Sequence, residues 1–316
     1  MMGSGVRVPS PAPSFSRISL THRRSGGACA APGFAPRKAA GERGDVMDST
    51  GGLRAIWAEG RDSLNGWCSI GNAFTAEIMA AQGFDSVTVD MQHGALDYTD
   101  LLPMLQAMRA SGAGLMARVA WLDPSQVMKA LDAGVEGVIC PMIGTAEEAA
   151  RLVSYLRYPP DGMRSYGPTR AIYAHGADNH SGANQRILAF AMIETAEGLA
   201  NLEAILATPG LDGIYVGPND LALSVSAGRL SSGLDREEPE MQAQLKTIAV
   251  ACARHGKIAA IHCGTAAYAA KAIGWGYRMT TVGGDVRFLA AGAAGAVADF
   301  RRLTGREASV AGPRGY

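Results

Sequence analysis

Between residue 53 and residue 303 the chain repeats one plan eight times: a short apolar run, a turn, and a segment with helical spacing. The runs span residues 65–70, 86–90, 114–119, 137–142, 188–194, 213–217, 258–263 and 278–282. Several are apolar at nearly every position rather than at alternate ones, the pattern of a strand buried on both faces in a helix-covered parallel sheet. Helical segments are predicted over 75–82, 98–110, 123–133, 145–156, 239–254 and 286–303. Their ends carry local signals: Gly83, Gly112 and Gly134 as stops, Asp123-Pro124 as a start, and Thr145 with Glu148 as a capping box. Eight strand–helix units in roughly 250 residues is the count and size of a (β/α)8 TIM barrel. The rival, an open doubly wound sheet, finds no G-x-G-x-x-G turn after a strand. The reading is therefore α/β, a single barrel over residues 47–307 with a short tail at 308–316.

Residues 1–46 differ from the rest of the chain. They are rich in Pro, Ser, Gly and Arg and hold seven Arg or Lys against two acids, with no apolar periodicity, so they are expected to be a disordered extension. Met47 offers a second start; an Arg- and Ser-rich transit segment is the other reading of this composition. The whole chain carries 29 basic and 29 acidic residues, which gives no footprint for nucleic acid. No apolar run approaches the roughly 20 residues of a membrane helix. The five cysteines, odd in number and without metal-ligand spacing, read as small buried thiols in a reducing cytoplasm.

Barrel enzymes keep their chemistry at the C-terminal ends of the strands. Polar residues at those ends form a compact set: Asp90 and His93 after the second run, Arg118 in the third, Glu194 closing the fifth, Asp220 past the sixth and His262 in the seventh. Glu194 and Asp220 suit one divalent cation, Mg²⁺ or Mn²⁺ with Co²⁺ also compatible, since such ions take one or two carboxylates and leave room for substrate. The same two acids also suit helix starts, where the dipole favours them. A cation there would chelate a 2-oxo acid and stabilise an enolate. Arg118 would place fixed positive charge beside the developing oxyanion. Gly217-Pro218-Asn219-Asp220 opens a helix whose free amides can hold a carboxylate. His93 is read as general base, oriented by Asp90 three residues earlier. His262 is read as a hydrogen-bonded lumen residue and left out of the catalytic set. None of the five lysines falls at a strand's C-terminal end, which disfavours Schiff-base chemistry.

These pieces resemble the HpcH/HpaI class II 2-oxo-acid aldolases. The resemblance runs from about Ile56 to Leu303 and rests on Val89-Asp90 with His93, Ala117-Arg118-Val119, Arg157-Tyr158-Pro159-Pro160 with Gly162-Met163-Arg164, Ile193-Glu194-Thr195, and Val216-Gly217-Pro218-Asn219-Asp220-Leu221. It implies a metal-dependent lyase that cleaves or forms a 4-hydroxy-2-oxo acid, with pyruvate (or a close analogue) and an aldehyde as the other partners. It implies a divalent metal on Glu194 and Asp220, Arg118 on the oxo acid, and His93 with Asp90 in proton transfer. It also implies a homo-oligomer, commonly a hexamer that exchanges the last helix between barrels, which would account for the Ala-rich apolar face of residues 288–298.

Three positions depart from the family's pattern. Its usual Gly-Glu-His is Met91-Gln92-His93, its Gln two residues before the metal Glu is Met192, and Arg164 is followed by Ser165 rather than Gly. Two other readings stay open: a citryl- or malyl-CoA lyase of the same superfamily, and a barrel that binds metal or oxo acid without turnover. Residues 161–181 have no clear pattern and are too long for a simple connection, so they are expected to be irregular and functional or interfacial.

Overall fold

The computed structural model describes residues 49–176 and 179–306. The expectations for 1–46 and 308–316 lie outside the described residues.

Eight parallel strands close into a barrel in chain order: β1 (Ser63–Cys68), β2 (Ser86–Asp90), β3 (Gly114–Arg118), β4 (Gly137–Cys140), β5 (Leu188–Ile193), β6 (Gly213–Val216), β7 (Ile258–Cys263) and β8 (Met279–Val282), with β8 paired back to β1. The expected (β/α)8 fold is what forms. All six residues of β5 are buried, yet they divide by parity: Leu188, Phe190 and Met192 point into the lumen, while Ala189, Ala191 and Ile193 pack against the surrounding helices. Both faces of the strand are dry, which is why its sequence is unbroken apolar rather than alternating. The same parity turns Glu194, the next residue but one after Met192, toward the lumen.

Helix ends follow the local signals. Asp123 accepts from the amides of Ser125 and Gln126, and Thr145 accepts from the amide of Glu148. Gly134 closes its helix with φ +95°, a conformation that a side chain would disfavour.

Two features go beyond the expectation. A helix over Ser49–Ala58 lies under the barrel floor: Leu53 is fully buried with Met116, Leu188 and Met279, and the Trp57 ring meets Phe190 edge-on at 6.2 Å. The stretch expected to be irregular holds two short helices, Ala171–His175 and Asn179–Arg186. Neither is long enough to show an apolar period, so no helical signal stands out there. Among the described residues no helix is long and apolar enough to cross a membrane.

The last helix, Asp285–Thr304, is the exception to the packed architecture. Only Asp285 in it is buried, and Leu289, Phe300 and Leu303 expose 67%, 53% and 74% of their surfaces.

Candidate active site

A cavity of about 290 Å³ opens at the C-terminal rim, lined by Trp67, His93, Arg118, Met192, Asn219, Asp220, His262 and Arg287 among others. That places it at the lower end of small-molecule pockets. A larger cleft, about 790 Å³, lies on the opposite rim, where Asp212 already pairs with Arg54 (2.8 Å) and Arg157 (3.4 Å). Asp212 is shared there by the two guanidiniums, and the rim itself is the one that serves stability in this architecture.

Strand register builds the first half of the site. Asp90, last in β2, stands opposite Arg118, last in β3. Arg118 donates through Nε (2.9 Å) and Nη2 (2.7 Å) to the two carboxylate oxygens, a bidentate pair, and its guanidinium lies 4.9 Å from the Trp67 ring centre. The Trp67 indole N–H also donates to Asp90. Burial pushes the Asp90 carboxyl up, but Arg118 and the amides of Gln92 and His93 outweigh it and hold the group below its usual range. Asp90 therefore fixes Arg118. Its bond to His93 goes to the backbone N–H at 3.3 Å, not to the ring, so the expected orientation of the imidazole by this carboxylate is not how the two residues meet. His93 itself is exposed and lines the cavity.

The second half centres on Glu194, only 1% exposed. Its Oε1 accepts from the Met142 amide at 2.8 Å, while Oε2 is buried without a hydrogen-bond partner. Met142 adopts φ +58°, an uncommon backbone state for a residue with a side chain, and its N–H is the one aimed at the carboxylate. Burial raises the Glu194 carboxyl from 4.5 to about 7; the Met142 amide pulls it down, the Asp220 charge adds to the rise, and Arg118 opposes it. Gly217 is where β6 leaves the lumen: a Cβ there would lie 2.5 Å from Met192 Cε and 2.6 Å from Glu194 Oε2, so a side chain at this position would displace the ends of both. Pro218 then starts the helix Pro218–Val225 with Asn219 and Asp220 in its first turn and no side-chain cap. Asn219 accepts from the Gly233 amide at 2.7 Å, tying down the following loop.

The donor set fits a hard divalent cation. A buried carboxylate oxygen without a partner, raised by burial and further by a second carboxylate, asks for positive charge. Among the described residues no group of three or more His, Cys, Asp or Glu could hold an ion, so a cation here would rest on Glu194 and Asp220 and complete its shell with water or substrate.

Beneath the cavity runs a polar ladder that sequence reasoning missed. Ser86 and Thr88 donate to Asn65, Asn65 donates to Thr281 (2.9 Å), and the Tyr215 hydroxyl meets Thr281 (2.7 Å) and His262 Nδ1 (3.2 Å). Burial lowers the His262 pKa to about 3, so the ring is neutral at all ordinary pH values. It is a lumen histidine held by hydrogen bonds. The alternation of small polar residues at strand-lumen positions was the available signal. His175 and His180 lie outside the cavity lining, near Glu136 and against Tyr158 and Tyr166.

The closed parallel barrel thus carries two carboxylates at its C-terminal rim, after β5 and past β6, and a buried arginine at the end of β3. The sequence model of the HpcH/HpaI aldolase/citrate lyase family matches residues 66–291, and the chain belongs to this family. It is 38% identical over 251 residues to the hydroxypyruvate/pyruvate aldolase of Rhizorhabdus wittichii, covering 79% of this chain and 99% of that one. It is 32% identical over 236 residues to the 5-keto-4-deoxy-D-glucarate aldolase of Klebsiella pneumoniae, covering 74% and 90%. The crystal structure of a family protein from Burkholderia cenocepacia superposes with a TM-score of 0.71 at 32% identity, covering 76% of this chain and 95% of that one. The protein is an enzyme of the lyase type.

Proposed function

We propose that the enzyme makes and breaks the C3–C4 bond of 4-hydroxy-2-oxo acids, with pyruvate or a close analogue on one side and an aldehyde on the other. One observation carries the reading: Glu194 Oε2 is buried and unpartnered beside Asp220, on the same rim as Arg118. Glu194 and Asp220 would hold Mg²⁺, Mn²⁺ or Co²⁺, which when bound supplies Lewis-acid polarisation of the keto group.

The chain's own groups do the rest. Arg118, locked by Asp90 through Nε and Nη2, keeps Nη1 for the oxo-acid oxygen on which negative charge grows. The first-turn amides of Asn219 and Asp220, after Gly217-Pro218, suit the substrate carboxylate. His93, exposed at the cavity edge, takes the proton from the 4-hydroxyl in cleavage and returns it in synthesis, directly or through a water. The cavity's 290 Å³ suits an oxo acid and a small aldehyde far better than the bulk of a CoA thioester. The four described cysteines are buried and free, which supports a cytoplasmic setting. The apolar surface of the helix Asp285–Thr304 supports assembly with further copies of the chain, a hexamer by resemblance to the family.

The test is aldol addition. Pyruvate and a panel of aldehydes are incubated with the enzyme, with and without EDTA, and re-supplied with Mg²⁺, Mn²⁺ or Co²⁺. Product that forms equally well under chelation would refute the metal-dependent reading.

A further inference from the structure

The catalytic roles above leave one cavity-lining cation unused. Arg287 sits three residues after Gly284, the residue that starts the last helix, and lines the same cavity as His93, Arg118 and Asp220. Among the described residues its guanidinium has no hydrogen bond and no ion pair, whereas Arg118, Arg157, Arg164, Arg236 and Arg278 are each committed to a carboxylate. Its location is also unfavourable for the helix. A cation in the first turn faces the positive end of the dipole, and helix starts prefer acids there. Nothing in helix stability accounts for an arginine at that place.

The structure instead fixes the backbone that carries it at the edge of the cavity. Asp285 accepts from the amides of Ser69 (2.9 Å) and Ile70 (3.0 Å), pinning the first turn to the end of β1. Gly284 packs against Trp67, with the site of a Cβ 3.0 Å from the Trp67 carbonyl oxygen. The Arg287 Nη1 reaches across to β7, 3.3 Å from where a Cβ on Gly264 would stand. It is close enough to His262 to oppose protonation of that ring. Two acids lie nearby, Asp285, which accepts from the amides above, and Asp235, which accepts from the Gly264 amide (2.6 Å) and the Thr265 hydroxyl (2.7 Å); neither pairs with Arg287. Arg287 thus stands on the β7–β8 side of the mouth, while Glu194 and Asp220 stand on the β5–β6 side. On the aldolase reading, an oxo acid held on the β5–β6 side leaves the Arg287 side of the cavity for the aldehyde half.

We infer that Arg287 is a specificity residue that binds a carboxylate on the aldehyde half of the substrate, so that the enzyme acts on aldehydes that are themselves acids. The inference rests on the aldolase reading and sharpens it. An uncommitted guanidinium at the mouth offers a two-pronged site for a carboxylate and none for an alkyl or hydroxymethyl group.

The test compares matched aldehydes with pyruvate as donor: glyoxylate against glycolaldehyde, and succinic semialdehyde against pentanal. The readout is the ratio of kcat/KM for the acidic member over the neutral one. In Arg287→Met that ratio falls at least about tenfold for one or both pairs, the size of a single charge-assisted hydrogen bond. Arg287→Lys retains part of it, and Arg287→Glu drives it lower than Met does. Ratios that stay in place for both pairs overturn the inference whatever happens to the absolute rates, because an arginine that only steadies the helix moves both members together. Exchange of the pyruvate methyl protons in D₂O by the unaltered enzyme tests the underlying reading without any aldehyde. Exchange together with unchanged ratios removes the role of Arg287 alone; no exchange removes the aldolase reading and this inference with it.

Discussion

Replacing Glu194 with Gln should stabilise the metal-free enzyme at alkaline pH while abolishing its activity. Folding takes the Glu194 carboxyl from 4.5 to about 7 through burial, so the folded state holds that proton more tightly than the unfolded chain does. Above 4.5 the unfolded state releases the proton and the folded state does not, so stability falls as pH rises and levels off once the folded group has ionised, above about 7. A shift of that size corresponds to about 3 kcal/mol; allowing for partial solvent screening at the cavity mouth, about 2–3 kcal/mol is lost between acid and pH 8.5. Gln has no charge to desolvate, keeps an oxygen for the Met142 amide, and offers an N–H₂ toward Asp220. Denaturant titrations of the EDTA-treated proteins at pH 5 and pH 8.5 give the comparison. The unaltered enzyme should lose about 2–3 kcal/mol more than Glu194→Gln across that interval. Saturating Mg²⁺ should restore stability to the unaltered enzyme and not to the variant. A stability gap between the two that is the same at both pH values would refute the argument, since it would mean that ionisation of Glu194 is not what burial opposes.

Other predictions draw on different parts of the site. His93→Asn should lower kcat for aldol cleavage by about 10²- to 10⁴-fold, the usual worth of a positioned proton-transfer group, with the affinity for pyruvate nearly intact. Steady-state kinetics beside pyruvate titration separates the two effects, and an equal loss in both would mean that the ring binds rather than shuttles. Arg118→Lys should cost at least about tenfold in kcat/KM despite keeping the charge, because an ammonium cannot hold Asp90 bidentately and still present a donor to substrate. Full activity in that variant would show that charge alone suffices. Light scattering should give the mass of a multimer, and charged replacements of Leu289 and Phe300 should lower it; a monomer in the unaltered protein would leave the exposed face of the last helix without a role in assembly.

The barrel was legible because its strands are dry on both faces and its helix ends carry caps, both of which are local properties. The positions of Glu194 and Asp220 were legible for the same reason: a carboxylate that closes an apolar run, or stands in the helix start just past one, is visible without knowing what lies beside it. Asp90 was harder. Its distance of three residues from His93 suggested one partner, but the register of β2 against β3 supplied another, Arg118, and pairing between strands is not written in spacing along one of them. Met142 could not be found at all, since its contribution is a backbone N–H turned by an uncommon φ. Arg287 lies inside a helical run and not at a strand end, so reasoning from strand ends does not reach it. The signal that would have marked it was a cation in the first turn, where the helix itself has no use for one.

Two residues that depart from the family pattern, Met192 and Gln92, bear on charge more than on shape. Met192 packs beside Glu194 at Gly217 and offers no donor, which leaves Oε2 bare and deepens the desolvation that raises the Glu194 pKa. Gln92 keeps an acceptor oxygen, also buried without a partner, where the family pattern has a carboxylate. One negative charge is thereby removed from the rim while a hydrogen-bond acceptor remains. Arg118 and Asp90 cancel each other, and Glu194 with Asp220 matches a divalent ion. On the proposed reading, the substrate's own acids would then be met by the amides at Asn219 and Asp220, by Nη1 of Arg118, and by Arg287. A carboxylate in place of Gln92 would upset that balance by tightening the hold on the cation and repelling an acidic substrate. Gln92→Glu is therefore expected to bind Mg²⁺ more tightly in calorimetric titration and to raise KM for acidic aldehydes more than for neutral ones. If the metal affinity rises and the two aldehyde classes respond alike, charge balance does not set the substrate class.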